Sequence, residues 1–287
     1  CRIIDKALQL ALNGVMGTVL CGVNIAFLPK QRMERDTLSM AEIARYCHHN
    51  KGGGIACLDA DKAYDRVEIG FLKEILAAMR FPDAFINVVA TMYRDNWARL
   101  KVNGHIGDAF RQTNGLRQGL PSSCPLWLIF IEPLVRRLRD DPELEGVTIP
   151  GELGRGTVKE KVAAFADDVK CYCANMADVC HLTDPDPRVG PIAMYQLASR
   201  YQRFSTEKFT IVTMGSMSQE PRPNINIQAW VRYGQDEADK SLGIRVGTDY
   251  QVAGQWFDMP RTMEKMAMDT TAGRRRGGSI DARTTIA

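Results

Sequence analysis

Three aspartates in this chain stand where an acid can do chemistry. Asp59 closes the short apolar run Ile55-Ala56-Cys57-Leu58. Asp167 and Asp168 stand together in the middle of Val162-Ala163-Ala164-Phe165-Ala166-Asp167-Asp168-Val169-Lys170-Cys171-Tyr172-Cys173. A short apolar run that ends in a carboxylate is the pattern of a buried strand presenting an acid at its C-terminal end. In the second stretch, Val162 to Phe165 reads as a buried strand. Val169, Cys171 and Cys173 alternate with Lys170 and Tyr172, the period of a half-buried strand. The connection between these strands is a two-residue hairpin turn with both carboxylates at its tip. Aspartate is common in turns, so a plain polar turn is one reading. Ala-Asp-Asp lacks the glycine that such turns prefer, which favours another reason for the acids. If the two strand ends are neighbours, three carboxylates converge. Like charges that close repel unless a cation sits among them. Oxygen-only ligands suit Mg²⁺, which also binds substrate phosphates. Two such ions about 4 Å apart activate an attacking hydroxyl and stabilise a leaving pyrophosphate, which is nucleotidyl-transfer chemistry.

The elements that must position these acids alternate between helix and strand. Residues 2–20 have helical spacing at Ile4, Leu8, Ala11, Leu12 and Val15, and a second helix covers Thr37 to Cys47. Lys51 to Gly54 reads as a loop before the Asp59 strand. Helices follow through Leu72, Ile75, Leu76 and Met79, and through Phe85, Val88, Val89 and Met92, with Phe81-Pro82-Asp83 between them. Residues 98–112 form a hairpin turning at Asn103-Gly104. A polar loop, Asn114 to Pro125, leads into the apolar helix Leu126 to Leu138, and residues 140–157 read as a loop. Beyond Cys173 we expect a helix over Ile192 to Phe204, a strand over Phe209 to Val212, a loop over 216–228 and a strand over 240–247. The arginine-rich tail after Trp256 is expected to be disordered. This interleaving, with hairpins, predicts an α+β fold with a mainly antiparallel sheet flanked by helices.

Composition sets wide bounds. At 287 residues, 45% hydrophobic and 25% charged, the chain has the make-up of a globular protein with one large domain or two small ones. A net charge of +3 permits a nucleic-acid partner without demanding one. No stretch approaches the roughly 18 unbroken apolar residues of a membrane span. The eight cysteines include no C-x-x-C pair, and Cys171 and Cys173 fall on a strand, which argues against structural zinc. Reduced, partly buried thiols are expected. The opening Cys1-Arg2-Ile3-Ile4 has neither an initiator Met nor a secretory layout. The expectation is a chain that begins within a domain, is not secreted and works in the nucleus or cytoplasm.

Three stretches, taken in order, carry a resemblance. Ile55-Ala56-Cys57-Leu58-Asp59-Ala60-Asp61-Lys62-Ala63-Tyr64-Asp65-Arg66-Val67, Asn114-Gly115-Leu116-Arg117-Gln118-Gly119-Leu120-Pro121-Ser122-Ser123-Cys124-Pro125-Leu126 and Ala164-Phe165-Ala166-Asp167-Asp168 are similar to three successive motifs of reverse transcriptases. The nearest branch is that of the non-LTR, LINE-like retrotransposons. Arg2 to Leu8, Phe27-Leu28-Pro29, Ile131-Glu132-Pro133-Leu134 and Leu242-Gly243-Ile244 resemble further elements of the same family, so the likeness covers roughly residues 2–250.

The resemblance implies a right-hand polymerase palm with partial fingers and the start of a thumb. Residues 1–54 would be partial fingers, 55–215 the palm, and 216–287 the palm end and thumb start. The implied activity is RNA-directed DNA polymerisation, with an RNA template, a DNA primer and dNTPs as partners and two Mg²⁺ ions as cofactor. Asp59 and Asp167 would bind the ions and Asp168 would assist. Tyr64 would stack under the incoming sugar and exclude a 2′-hydroxyl. Gln118 and Gly119 would line the nucleotide side. Arg117, Arg66 and Lys62 would meet nucleic acid, alongside Arg99, Lys101 and Arg111. From the residues themselves, Asp65 and Arg66 read as holding the turn by a local pair rather than doing chemistry. The endonuclease domain of such elements is not expected within this chain.

The chain also departs from the pattern. Lys30-Gln31 stand where the family has Gly-Arg, with Arg32 one place late; Leu128 stands for an Asn. Thr213 stands for the lysine proposed to protonate pyrophosphate, with Lys208 as a substitute. These departures motivate a second reading, a catalytically inactive or truncated remnant that at most binds nucleic acid.

Overall fold

The computed structural model describes residues 2–24, 26–28, 33–151, 156–205, 208–227 and 229–233, with short strands at 240–241 and 244–245. The apolar run before Asp59 becomes β1 (Gly53–Asp61), the strand on which the sheet is assembled. β1 pairs antiparallel with β7 (Asp168–Cys173) on one side and β9 (Thr210–Met214) on the other. β6 (Val162–Phe165) extends the sheet beyond β7, and β10 (Ala229–Arg232) runs parallel to β9 at the opposite edge. The two-residue β8 (Arg203–Phe204) meets β1 at Ala60 and Asp61. The order β10-β9-β1-β7-β6 is antiparallel apart from that one edge.

Alternation along β1 divides its side chains between two cores. Ala56, Leu58 and Ala60 face the larger one. It is completed by helices α1 (Arg2–Val19), α3 (Ile69–Ala78), α4 (Asp83–Arg94), α5 (Ser123–Asp140), α6 (Met176–Thr183) and α7 (Pro191–Ala198). In α5, Leu126 to Ile131 are all buried, as an apolar run without a polar face requires. Ile55 faces the other core, with Tyr172, Val212 and Met214. That side is covered by α2 (Met33–His49) through Met40, Ile43, Ala44 and Cys47. Burial in this apolar core pushes the Cys47 thiol up to about 11. Asp59 and Asp61 follow Ile55 on the same face, beyond the end of the α2 cover.

Several expectations are corrected. β1 starts two residues early, because Gly53 and Gly54 pair with Met214 and Thr213 whatever their intrinsic preference. β7 is buried on both faces rather than one, with Lys170 and Tyr172 each 1% exposed, because α2 roofs the second face. Residues 140–157 are not all loop: β4 (Val147–Pro150) pairs with β5 (Thr157–Glu160). Only Val147 of that hairpin is buried, so it carries little hydrophobic signal. α7 stops at Ala198, because Arg200 takes a φ of +63° and the chain turns into β8. The strand expected over 240–247 is two short strands, Lys240–Ser241 and Ile244–Arg245, paired with each other. The fold also depends on Asp178, a buried carboxylate that accepts from Glu145 N (2.8 Å), Gly146 N (3.0 Å) and Ala174 N (2.7 Å) and so ties three segments together. No described helix is long and apolar enough to cross a membrane. Lys30, Gln31, Arg32 and the tail beyond Arg245 lie outside the described residues.

Candidate active site

The register of β1 against β7 puts Asp59 directly opposite Asp168. Cross-strand partners point to the same face of a sheet. The turn between β6 and β7 is Ala166-Asp167, since Phe165 pairs with Asp168. Asp167 therefore stands at the tip alone, and Asp168 is the first residue of β7, not a second tip residue. Ala166 has a φ of +57°, a left-handed conformation normally left to glycine.

Asn24, fully buried, holds this turn. Its Nδ2 donates to the Ala166 carbonyl (3.0 Å) and its Oδ1 accepts from the Ala166 N–H (3.1 Å). Its backbone forms a parallel bridge to Ala164. A segment 142 residues away in sequence thus supplies the hydrogen bonds that the turn cannot make for itself.

A cation already stands at Asp59. Lys208 Nζ donates to Asp59 Oδ2 at 2.9 Å, and the Asp59 side chain is 32% exposed. The Asp59 hydrogen bond and charge, with smaller contributions from Asp61 and Asp167, raise the Lys208 ammonium above its ordinary value. Thr213 is 1% exposed inside β9, with its hydroxyl near the Val231 carbonyl and Ser218, so Lys208 is the lysine of this region that reaches the acids. Asp61 is taken up by an ion pair with Arg66, which also reaches the Tyr201 carbonyl. This is a local pairing but with Asp61, not Asp65, and it uses the guanidinium that the family likeness assigns to nucleic acid.

Among the described residues, no group of three His, Cys, Asp or Glu side chains is gathered closely enough to hold a metal ion. The donor set still suits one. The ammonium on Asp59 is a stand-in that shows a positive charge accommodated there, and carboxylate oxygens are what hard divalent cations take.

Tyr64 forms a wall beside the acids. Its ring stacks on buried Trp127 with centroids 5.7 Å apart, and its hydroxyl lies 3.5 Å from Cys124 Sγ. Burial, the Cys124 contact and the nearby Asp167 charge all push its phenol up, so it stays a neutral ring. The loop carrying Gln118 and Gly119 is fastened to this turn: Leu116 N donates to the Tyr64 carbonyl and Gly115 N to the Val67 carbonyl, both at 2.8 Å. Gly115 must be glycine here. Its φ is +94°, and a Cβ would stand 2.8 Å from the Asp65 carbonyl oxygen. Gly119, at φ +84°, borders open space that a ligand can enter. Gln118 is exposed and lies 3.5 Å from Asp65. Lys62 is exposed on a left-handed turn (φ +48°), whereas Arg117 has its Nε buried with no hydrogen-bond partner. Leu128, in the family's Asn position, is fully buried.

The far end of that loop is anchored by a residue that pattern reading did not single out. Asp5, 1% exposed on α1, accepts from the Ser122 hydroxyl and from Ser122 N (3.3 Å) at the start of α5. It serves as a cap supplied from another helix, where a carboxylate is favourable. Asp5→Ala is expected to lower unfolding free energy by about 1–3 kcal/mol, the cost of orphaning buried donors. Urea unfolding measures this, and a change below about 0.5 kcal/mol, the size of an ordinary surface substitution, contradicts the assigned anchor.

Comparison with known proteins places this geometry. The family model described as reverse transcriptase (RNA-dependent DNA polymerase) matches residues 1–232. The chain is 27% identical over 180 residues to the Transposon TX1 uncharacterized 149 kDa protein of Xenopus laevis, covering 62% of this chain and 13% of that one. It is 28% identical over 179 residues to the Pol polyprotein from the type-2 retrotransposable element R2DM of Drosophila melanogaster, covering 59% of this chain and 16% of the other. The chain thus spans about one-seventh of the curated relatives it matches. Among solved structures, telomerase from Candida tropicalis superposes with a TM-score of 0.52 at 13% identity, over 84% of this chain and 35% of that one, a likeness of fold. The family match spans the Asp59 strand, the Gln118-Gly119 loop and the Asp167 turn in one run over most of the chain, and the chain belongs to the reverse transcriptase family.

Proposed function

We propose that this chain is the catalytic part of a non-LTR retrotransposon RNA-directed DNA polymerase, adding dNTPs to a DNA primer 3′-hydroxyl on an RNA template. The observation that carries the reading is the pairing of Asp59 with Asp168, with Asp167 in the turn beside them. Asp59 and Asp167 would hold two Mg²⁺ ions, with Asp168 assisting. When bound, the ions supply Lewis acidity at the reacting phosphate and lower the pKa of the attacking hydroxyl. The Tyr64 ring closes the space under the sugar, where one extra oxygen at the 2′ position meets the ring. Gln118 and Gly119 line the open side of the nucleotide. Lys208 Nζ, already charged beside Asp59, carries the proton that a departing pyrophosphate needs. We assign residues 1–54 to the fingers and 55–215 to the palm, and place the protein's work in the nucleus or cytoplasm.

Primer extension on an RNA template with Mg²⁺ tests the reading: dNTP incorporation supports it. RNA binding without incorporation would select the inactive-remnant reading instead. The Tyr64 assignment has its own readout. Tyr64→Val is expected to raise ribonucleotide incorporation relative to dNTPs by about a hundredfold, the discrimination a steric pocket wall supplies. Unchanged selectivity removes Tyr64 from the sugar site.

A further inference from the structure

The β2 (Asn96–Val102) and β3 (His105–Gln112) strands pair only with each other. Every residue from Arg99 to Arg111 is exposed. A lone two-stranded ribbon is marginal in water. This one shows Trp97 at 52%, Leu100 and Val102 at 63%, and Phe110 at 47% exposure, an apolar load that marks an interaction surface.

The register sorts the side chains onto two faces. Trp97 lies opposite Arg111, Arg99 opposite Ala109 and Lys101 opposite Ile106. By strand alternation Trp97, Arg99, Lys101 and Arg111 share one face, while Ala98, Leu100, Val102 and Phe110 share the other. The ribbon's one acid, Asp108, lies in the irregular stretch between the Arg99 and Lys101 pairings. One face is therefore basic with an exposed indole, and the one carboxylate paired to it is Asp95, 3.5 Å from Arg111 at the ribbon's base, leaving Arg99 and Lys101 as its outer cations. Arg111 is partly tied to the Arg94 carbonyl (3.0 Å). The ribbon springs directly from the active-site loop: Asn96 Nδ2 donates to Gln112 Oε1 at 3.1 Å, and Gly115 follows three residues later. Arg66 is committed to Asp61 and the Arg117 Nε is buried, so among the described residues the ribbon adds its exposed cations to Lys62 beside this loop.

We propose that this ribbon is a nucleic-acid arm whose Trp97-Arg99-Lys101 face holds the unpaired RNA template next to the active site, a step that rests on the polymerase reading above. Basic side chains with an interleaved aromatic fit a single strand: cations meet the phosphates, and the indole stacks on an unpaired base that a duplex would hide. The apolar reverse face lies away from the strand.

The test measures binding of a single-stranded RNA oligonucleotide across a salt series, which is independent of incorporation. Each lost phosphate contact lowers the slope of log K against log salt by about 0.7. Arg99→Ala/Lys101→Ala should therefore lower it by about 1.4 and weaken binding about 25-fold at 0.1 M salt. Trp97→Ala should weaken binding about tenfold with the slope unchanged. The control Lys73→Ala/Arg80→Ala removes equal charge from exposed positions elsewhere and should leave the slope intact. Circular dichroism of each variant should match the parent, since all the replaced side chains are exposed. Ribbon variants that bind with the parent slope and affinity overturn the proposal and leave the ribbon to a protein partner. An equal effect of the control also overturns it. A parent chain that binds RNA through the ribbon but incorporates nothing sinks the polymerase reading alone.

Discussion

Asp167→Asn is expected to cut primer extension about a thousandfold, some 4 kcal/mol of transition-state stabilisation, and to leave folding stability nearly unchanged. The substitution keeps shape and removes charge. Asp167 sits in a two-residue turn, and Asn is as well suited to turns as Asp. Its backbone position is set by Asn24 acting on Ala166, which the change does not touch. The charge is what the surroundings register: it contributes to the raised phenol of Tyr64 and the raised ammonium of Lys208. A neutral amide would lose the anionic ligand in the turn beside the Asp59–Asp168 pair while the sheet stays whole. Extension at the parent rate would sink the catalytic assignment. A large fall in unfolding free energy would instead show that the carboxylate serves the fold.

The parts of the site that were legible in the sequence are those where local pattern and tertiary role coincide. Ile55 to Leu58 is apolar because it is a central strand, and Asp59 stands out because it ends that run. Asp167 stands out because Ala-Asp is a poor hairpin turn. The loop of Gly115 and Gly119 was visible because two positive-φ positions require glycine. What was hidden depends on partners far away in the chain. Asp5 looks like an ordinary polar position on an amphipathic helix until α5 arrives at its carboxylate. Asp178 binds three backbone N–H groups, two from the Glu145-Gly146 segment and one from its own helix entry, and no spacing rule predicts that. β4 and β5 pair with almost no buried side chain to announce them. Lys208 was visible only as a substitute for Thr213, and the 2.9 Å contact with Asp59 is what gives it weight.

Asn24 is the most consequential of the hidden residues, and a double-mutant cycle with Ala166 exposes its work. Asn24→Ala is expected to lower the extension rate about a hundredfold at saturating dNTP, the cost of misplacing a reacting group by about 1 Å. It should also destabilise the fold by about 2–4 kcal/mol, because the N–H and carbonyl of Ala166, which is 8% exposed, lose their partner. KM for dNTP should hardly move, since Tyr64 and Gly119 stand on other elements. The cycle distinguishes positioning from plain structural support. Ala166 is held at φ +57°, which costs a non-glycine residue about 1 kcal/mol or more. Without the Asn24 carboxamide, nothing offsets that cost and the turn relaxes towards other conformations. Glycine accepts the same φ without strain, so Ala166→Gly should restore part of the rate in the Asn24→Ala background. Alone it should change the rate little. The coupling is thus expected to be non-additive, as for any two residues in direct contact. If the two substitutions add independently, or if Asn24→Ala lowers stability and leaves the saturated rate intact, Asn24 supports the sheet but does not set the Asp167 turn.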